Sequence, residues 1–359
     1  MSHNLFETFA ARMRDRSDAD FITTREGRRY SYRDALDASA RLAGALKALG
    51  VAPGDRVAVQ VDKSPEAILL YLACLRMGGV YLPLNTGYTA DEVRYFLDDA
   101  EPALFVCRPA AFDEARTVAG ETGCPAVETL GTDADGSLLT LAERGDAYTG
   151  IEPREHDDLA AILYTSGTTG RSKGAMLTHR NLGSNAATLV EAWRFTSADR
   201  LIHALPIFHT HGLFVGCNVT LMAGSSMLFL PRFDADTIFE EMPHGTVLMG
   251  VPTFYTRLVA DERLTPEATA NMRLFVSGSA PLTAETHQAF EAKTGHAILE
   301  RYGMTETNMN ISNPYDGERR AGTVGMPLPG VEYRITDRET HAPVPQGEIG
   351  MLEIRGPNV

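Results

Sequence analysis

The sequence predicts an α/β fold with two mostly parallel, helix-covered sheets and a small β-barrel-like subdomain. From residue 31 to residue 276, short apolar runs with the length of buried strands alternate with helical patterns. Such alternation is typical of parallel sheets covered by helices. After Asn313 the composition changes to Gly, Pro and short segments of alternating hydrophobicity, which indicates the β-rich subdomain.

Helix and strand signals follow one another along the chain. Ser31 with Asp34, and Thr89 with Glu92, have the spacing of a capping box, which opens a helix. Apolar runs of strand length and helical patterns lie between and after them. The remaining predicted elements are strands at 56–61, 80–84, 159–163, 201–205, 226–230, 247–251, 273–276, 331–336 and 349–354, and helices at 65–77 and 181–193.

Composition divides the chain further. With 359 residues and 44% hydrophobic content, the chain can bury a large core. The stretch 113–150 is rich in Gly, Asp, Glu and Thr and is predicted to be a surface excursion between two lobes. The change of texture places the helix-covered lobes in 1–314 and the start of the β-barrel-like subdomain in 315–359.

Charge and cysteine usage exclude several classes of protein. A net charge of -14 with no offsetting Lys/Arg block argues against nucleic acid as a partner. The cysteines form no C-x-x-C pair and read as reduced core residues of a cytosolic protein. The first residues lack the apolar stretch of a signal peptide, and no segment approaches the length needed to span a membrane. A cytoplasmic protein without membrane insertion is therefore predicted.

A phosphate-binding loop is predicted directly after the strand at 159–163. Its glycines let the backbone approach a ligand closely, its hydroxyls donate hydrogen bonds, and Lys173 adds a charge for phosphoryl oxygens. ATP is the expected ligand, although the spacing is not that of a Walker A loop. A Ser/Gly-rich linker is the alternative, but linkers rarely follow a core strand. The loop residues are Thr165, Ser166, Gly167, Thr168, Thr169, Gly170, Arg171, Ser172 and Lys173.

This loop and four further motifs resemble the adenylate-forming superfamily of acyl-CoA synthetases, luciferases and peptide-synthetase adenylation domains. The motifs are LPIFHTHGL at 205–213, SGSAPL at 277–282, RYGMTET at 301–307 and GEIGMLEIRGP at 347–357. Together they span most of the chain. The resemblance ends at Val359, before the aspartate that the superfamily places at the ATP ribose and before its small C-terminal domain with the hinge and catalytic lysine. It therefore implies a large N-terminal domain whose C-terminal domain would be an intramolecular partner.

The resemblance implies a reaction in two steps. A carboxylate attacks the α-phosphate of ATP and expels pyrophosphate, and coenzyme A then takes the acyl group as a thioester. The first step brings anions together, so the site must supply positive charge and position the groups. Lys173 and Mg²⁺ would supply that charge. Glu306 is the expected Mg²⁺ ligand and Thr305 the expected phosphate donor, with a solvated loop acid as the alternative for Glu306.

The same resemblance assigns the nucleotide site. Tyr302 is expected to stack on adenine, Glu300 to lie near the base, and Gly303, Met304 and Thr305 to belong to the same nucleotide-binding element. The base is expected to be lined by Ser279, Ala280 and Pro281.

The run His209-Thr210-His211 could suggest a metal site, because two imidazoles at i, i+2 on a strand share a face. No third ligand stands nearby at zinc-site spacing, so this interpretation is disfavoured. The resemblance instead places His209, as a catalytic residue, on the wall between acyl group and phosphate, while His211 is expected to be structural. The segment 205–222 contains no acidic residue that could pair with a substrate amine, which disfavours amino-acid activation.

Arg301 is the residue that bears on the substrate. Most relatives that bind fatty or aromatic acids have a neutral residue at this position. The sequence segments ERYGMTET and NMNISNPYDGERRAGTVG resemble those of malonyl-CoA synthetases. A dicarboxylate such as malonate keeps one carboxylate after adenylation, and that buried anion needs a fixed cation. Arg257 is a candidate second clamp, and Thr210 and Met309 are expected to limit the pocket to malonate or a small 2-substituted malonate.

Alternatives remain for these assignments. Arg301 could be a surface arginine paired with an acid, Arg257 could equally be a surface residue, and Met309 could be simple core packing. Three functions therefore stay open: a malonate:CoA ligase, a ligase for another carboxylic acid, and a catalytically incomplete ATP-binding fragment.

Overall fold

The computed structural model describes residues 3–165 and 171–359. Its strands are β1 (Asp20–Thr24), β2 (Arg29–Ser31), β3 (Arg56–Gln60), β4 (Val80–Pro83), β5 (Leu104–Cys107), β6 (Val127–Thr129), β7 (Leu159–Thr165), β8 (Lys173–Thr178), β9 (Arg200–His203), β10 (Ser226–Phe229), β11 (Val247–Gly250), β12 (Leu274–Ser277), β13 (Leu299–Met304), β14 (Asn308–Ser312), β15 (Met326–Pro327), β16 (Glu332–Thr336) and β17 (Met351–Arg355).

Helices cover both sheets. They are α1 (Leu5–Asp15), α2 (Tyr32–Ala48), α3 (Pro65–Arg76), α4 (Ala90–Ala100), α5 (Phe112–Thr122), α6 (Ser137–Arg144), α7 (His179–Ala192), α8 (Asn218–Ala223), α9 (Ala235–Glu241), α10 (Pro252–Val259) and α11 (Ala284–Thr294), with a 3-10 turn at Pro109–Ala111 and a π-helix at His211–Cys217.

The strands form two large sheets that are mostly parallel, which confirms the predicted fold class. The six-stranded sheet has the order β6-β5-β3-β4-β7-β8, and only β8 runs antiparallel to its neighbour. The nine-stranded sheet has the order β15-β14-β13-β12-β11-β9-β10-β1-β2. From β13 to β1 all neighbours in this sheet are parallel, whereas β2, β14 and β15 are antiparallel.

Local sequence signals account for the helix starts. The Ser31 side chain accepts from the Asp34 backbone N–H and Thr89 does the same with Glu92, so both predicted capping boxes are confirmed. Every residue of α3 is buried, which agrees with its apolar run at 67–75, and the burial includes Glu66 and Arg76. One hydrophobic core joins α1, α2 and α3 to strands of both sheets.

The stretch 113–150 differs from the prediction. It contains most of α5 and all of β6 and α6, and β6 is the edge strand of the six-stranded sheet, parallel to β5. A three-residue edge strand gives almost no periodic signal, because its position depends on pairing with β5 rather than on its own sequence.

The final part of the chain is joined closely to the α/β portion. β15 pairs with β14 in the large sheet, while β16 and β17 form an antiparallel ladder of their own. The Asn358 side chain donates to the carbonyl of Thr307 at 2.6 Å, and the Asn181 side chain donates to the carbonyls of Pro357 and Val359. The two predicted strands are present, and the barrel-like subdomain with a division at 314 stays a prediction.

Candidate active site

A cavity of about 420 Å³ lies where four adjacent parallel strands of the large sheet reach their carboxyl ends. Its walls come from the segments that follow β9, β11 and β12 and from β13 with its following turn. Open α/β sheets bind ligands at this edge. The lining residues are Leu205, Pro206, His209, Thr210, His211, Gly212, Val251, Ser279, Arg301, Gly303, Met304, Thr305 and Met309.

Arg301 is buried in this cavity with only 3% of its surface exposed. Its Nε and Nη2 atoms have no hydrogen-bond partner among the described residues. Burial lowers the pKa of Arg301 to about 9, because no neighbouring carboxylate offsets the loss of water. The alternative of a surface arginine paired with an acid is therefore wrong. A buried guanidinium without a partner is stabilised when an anion binds to it, so Arg301 is a candidate anion-binding residue.

Gly278 makes the position of Arg301 possible. A Cβ atom at Gly278 would lie 2.3 Å from Arg301 Cζ, closer than any real contact. The bare backbone after β12 therefore lets the guanidinium lie flat against it.

Two other residues that line the same cavity have buried polar atoms. Thr210 Oγ1 and His211 Nε2 have no hydrogen-bond partner among the described residues. His211 Nδ1 lies 3.3 Å from Ser279 Oγ. Burial, followed by the charge of Arg301, holds the pKa of His211 well below its ordinary value, so the ring is neutral. Buried polar atoms nearly always have a hydrogen-bond partner, so these two atoms indicate that the cavity binds a polar ligand.

His211 was expected to be structural, and its place on the cavity wall is a finding that sequence reasoning missed. The segment is also not a strand: His211 begins the π-helix, so His209 and His211 do not share a strand face. A Cβ at Gly212 would lie 2.0 Å from the Pro206 carbonyl oxygen, so the tight entry into this helix needs glycine. The described residues hold no cluster of His, Cys, Asp and Glu that could bind a metal ion.

Side chains alternate along β13, so the predicted site residues of this strand lie on two different sides of it. Arg301 and Gly303 line the cavity, whereas Glu300 and Tyr302 do not. Glu300 accepts from the Leu282 N–H at 3.1 Å, and its other carboxylate oxygen is buried without a partner among the described residues. Burial raises the pKa of Glu300. The strand thus presents Arg301 to the cavity and Glu300 and Tyr302 away from it, whereas Gly303 and Met304, which were predicted to belong to the nucleotide-binding element, line the cavity.

The loop held by Glu300 contains the remaining predicted base contacts. Ser279 has a left-handed backbone conformation with a φ of 71°. It lines the cavity, and its side chain contacts His211. Ala280 and Pro281 are exposed. A non-glycine residue in this conformation is strained, which is a common property of ligand-binding turns.

The turn after β13 carries the predicted phosphate and metal contacts. Met304 and Thr305 line the cavity, and Glu306 is exposed next to them. The pKa of Tyr302 is raised, first by burial and then by the charge of Glu306, so these two side chains lie near one another. The role of Glu306 as a metal ligand stays a prediction.

The two remaining substrate candidates lie in different places. Met309 is buried in the cavity wall, where the Asn185 side chain of α7 binds both its backbone N–H and its carbonyl. Arg257 is exposed on α10 and does not line the cavity. Its guanidinium instead lies 5.9 Å from the centre of the Phe233 ring.

The predicted phosphate loop joins β7 to β8 in an antiparallel hairpin. Thr165 is opposite Lys173 in the ladder, and Lys173 is exposed at the start of β8. The Tyr95 hydroxyl donates to the Ser172 carbonyl at 2.7 Å, and the Arg171 guanidinium lies over the Tyr95 ring. The predicted loop residues that lie outside the described ranges are Ser166, Gly167, Thr168, Thr169 and Gly170.

The fold and this site define an AMP-binding enzyme. The AMP-binding enzyme family matches residues 6–359, and the chain belongs to that family. In the described part of the chain, no helix combines the length and apolarity needed to cross a membrane.

Within the family the chain is similar to MatB and to two proteins named as malonate–CoA ligases. It is 57% identical to ATP-bound MatB from Rhodopseudomonas palustris, with a TM-score of 0.96 over 100% of this chain and 71% of that one. It is 32% identical to the malonate–CoA ligase of Arabidopsis thaliana, over 100% of this chain and 64% of that protein. It is 35% identical to the mitochondrial malonate–CoA ligase of Mus musculus, over 85% of this chain and 55% of that protein. The chain thus spans less than two thirds of the length of these curated relatives.

Proposed function

We propose that this chain carries the adenylation site of an AMP-forming malonate–CoA ligase. A carboxylate oxygen of malonate attacks the α-phosphorus of ATP, a new P–O bond forms, and pyrophosphate leaves. The thiol of coenzyme A then attacks the acyl carbonyl, a thioester forms, and AMP leaves. The names of the relatives support malonate as the acid.

One observation carries the proposal: the buried, unpaired guanidinium of Arg301. Malonate keeps its second carboxylate throughout adenylation, and a bidentate pair with Arg301 would satisfy both orphaned nitrogens. Thr210 Oγ1 and neutral His211 Nε2 offer further hydrogen bonds to the same small anion. A fatty or aromatic acid would instead leave the charge buried and unpaired, which is costly.

The nucleotide is proposed to lie on the other side of β13. Glu300, Tyr302 and the loop 279–282 would contact the base, and the β7–β8 hairpin with Lys173 would approach the phosphates. We propose that coenzyme A serves as co-substrate. The superfamily places the thioester step on a C-terminal domain, which we propose as the intramolecular partner of this portion, in a cytoplasmic enzyme.

Mg²⁺ is proposed as the cation of the adenylation step, where it would neutralise phosphate charge. Glu306 fits this role, because its carboxylate is exposed beside the cavity residue Thr305 and is not paired with a cation among the described residues. Glu306→Gln should lower pyrophosphate release about 10²-fold and shift its Mg²⁺ dependence to higher concentration. An unchanged Mg²⁺ titration would remove Glu306 from the metal site.

The proposed function is tested by pyrophosphate release with a series of acids. Malonate and methylmalonate should be activated, whereas acetate, octanoate and benzoate should be poor substrates. Sulfoacetate, which has a sulfonate in place of the second carboxylate, tests whether Arg301 requires a carboxylate or any small anion. Preference for octanoate or benzoate would overturn the malonate assignment, and no release with any acid would leave only nucleotide binding.

A further inference from the structure

A hydrogen-bonded bridge joins the two large sheets behind the acyl cavity. Lys63 follows β3 of the six-stranded sheet, and His203 ends β9 of the nine-stranded sheet. Lys63 Nζ lies 2.9 Å from His203 Nδ1 and donates to the His203 carbonyl at 2.8 Å. Lys63 Nζ also lies 4.4 Å from the centre of the Phe229 ring, and burial holds the pKa of Lys63 well below its ordinary value.

The partners of His203 define its tautomer. His203 Nε2 lies 2.8 Å from the Gly212 carbonyl oxygen, which only accepts, so Nε2 carries the proton. Nδ1 faces a lysine that donates, so Nδ1 is bare. Burial, followed by the charge of Lys63, lowers the pKa of His203 to about 3, which agrees with a neutral ring.

The π-helix is shaped around this ring. A Cβ at Gly216 would lie 2.8 Å from His203 Nε2, so the ring can approach only a bare backbone. Cys217 Sγ lies 3.6 Å from the same nitrogen. The helix therefore meets His203 at its second, sixth and seventh residues, while its first residue, His211, faces the cavity. Single turns of π-helix are frequent at functional sites, where they direct side chains that a regular helix would turn away.

We propose that Lys63 and His203 are positioning residues for the acid, acting through the π-helix and not by touching the substrate. Lys63 holds His203 in the Nε2–H tautomer, and this N–H binds the Gly212 carbonyl. That bond fixes the entry of the π-helix and with it Thr210 and His211 opposite Arg301. Without Lys63, the His203 ring can turn its unprotonated nitrogen toward the Gly212 carbonyl. The hydrogen bond to that carbonyl is then lost, and Thr210 and His211 shift from their positions in the cavity wall. The inference rests on the proposed function only for the identity of the acid.

The first test needs no substrate. Nitrogen-15 spectra of the histidine rings should show His203 with a protonated Nε2 and a bare, hydrogen-bonded Nδ1. Lys63→Met keeps the aliphatic part of the side chain and removes the hydrogen-bond donor, so the His203 Nδ1 signal should shift. The His211 signals should shift as well, because the cavity wall that contains His211 changes position. Lys47→Met is the matched control, because Lys47 also lies over a ring, that of Tyr148, but on the exposed surface. A protonated Nδ1 in the unmodified protein would overturn the proposal.

The second test separates positioning from general stability. Lys63→Met should raise the KM for malonate on the order of tenfold, with the KM for ATP unchanged. His203→Gln can place an amide N–H near the Gly212 carbonyl and should retain more malonate affinity than the shorter His203→Asn. Equal losses for malonate and ATP, or equal behaviour of the Gln and Asn variants, would overturn the role. If the unmodified protein activated no acid, the proposed function would fail while the spectra would still decide the bridge.

Discussion

Arg301 is the residue at which stability and function oppose each other. Its charge is buried without a counter-charge among the described residues, and Gly278 leaves it room to lie against the backbone. Because its folded pKa of about 9 lies well below the ordinary value for arginine, the unfolded chain binds the proton more tightly than the folded protein does. The resulting penalty is fully present below about pH 9 and falls as the pH rises above that value.

Removing this charge should therefore stabilise the protein without ligand. Arg301→Met should raise the free energy of unfolding by about 1–3 kcal/mol at pH 7, measured by urea denaturation. Arg273→Met is the control of opposite sign, because Arg273 is paired with buried Asp199 at 2.6 Å and its loss leaves a carboxylate unpaired. A destabilised Arg301→Met variant would show that the guanidinium has partners in the folded state after all.

The same residue should determine the choice of acid. Arg301→Ala should reduce kcat/KM for malonate by roughly 10²–10³·⁵, since breaking a buried ion pair costs on the order of 3–5 kcal/mol. Propionate, which has no second carboxylate, should be affected far less, and ATP binding should barely change. Arg301→Lys should recover only part of the loss, because lysine lacks the bidentate fork. A uniform loss across acids would place Arg301 at the nucleotide or in the fold.

At the scale of elements, two side chains of α4 bind the β7–β8 hairpin: Asp99 accepts from the Tyr164 hydroxyl of β7, and Tyr95 binds the segment that leads into β8. The Tyr95 hydroxyl donates to the Ser172 carbonyl at 2.7 Å, immediately before the proposed phosphate contact Lys173. Tyr95→Phe should raise the KM for ATP about threefold to tenfold, which corresponds to about 0.5–1.5 kcal/mol for one hydrogen bond. Tyr88→Phe is the control, because Tyr88 packs on the same Phe96 ring and its hydroxyl makes no hydrogen bond to the described residues of the hairpin. Equal ATP kinetics in both variants would contradict a role for this contact.

Elements with local signals could be predicted from the sequence, and elements that depend on distant partners could not. The capping boxes of α2 and α4 lie within four residues and were predicted correctly. The π-helix was missed because its geometry depends on His203 and Lys63, which are 140 residues apart. The site followed the same pattern: Arg301 was recognised from its motif, whereas His211 became a site residue only through the position of that helix.

At the scale of the whole molecule, adenylation and thioester formation are expected to separate. The superfamily performs the second step with a C-terminal domain that rotates on its hinge. Residues 1–359 alone should therefore form malonyl-AMP slowly and produce little or no malonyl-CoA, as measured by chromatography of both products. Malonyl-CoA formed at the rate of a protein of the relatives' full length would show that this portion suffices for both steps.

The two faces of β13 have a consequence for how new substrate preferences evolve. Because neighbouring side chains of a strand point to opposite sides, a substitution at 301 can remodel the acid pocket while the proposed nucleotide contacts 300 and 302 stay in place. Gly303 lacks this freedom, because a Cβ there would lie 2.2 Å from the Asn308 carbonyl oxygen. A single inserted or deleted residue would exchange the two sets at once. Lineages should therefore diversify here by replacement at 301, and length changes in this segment should be removed by selection.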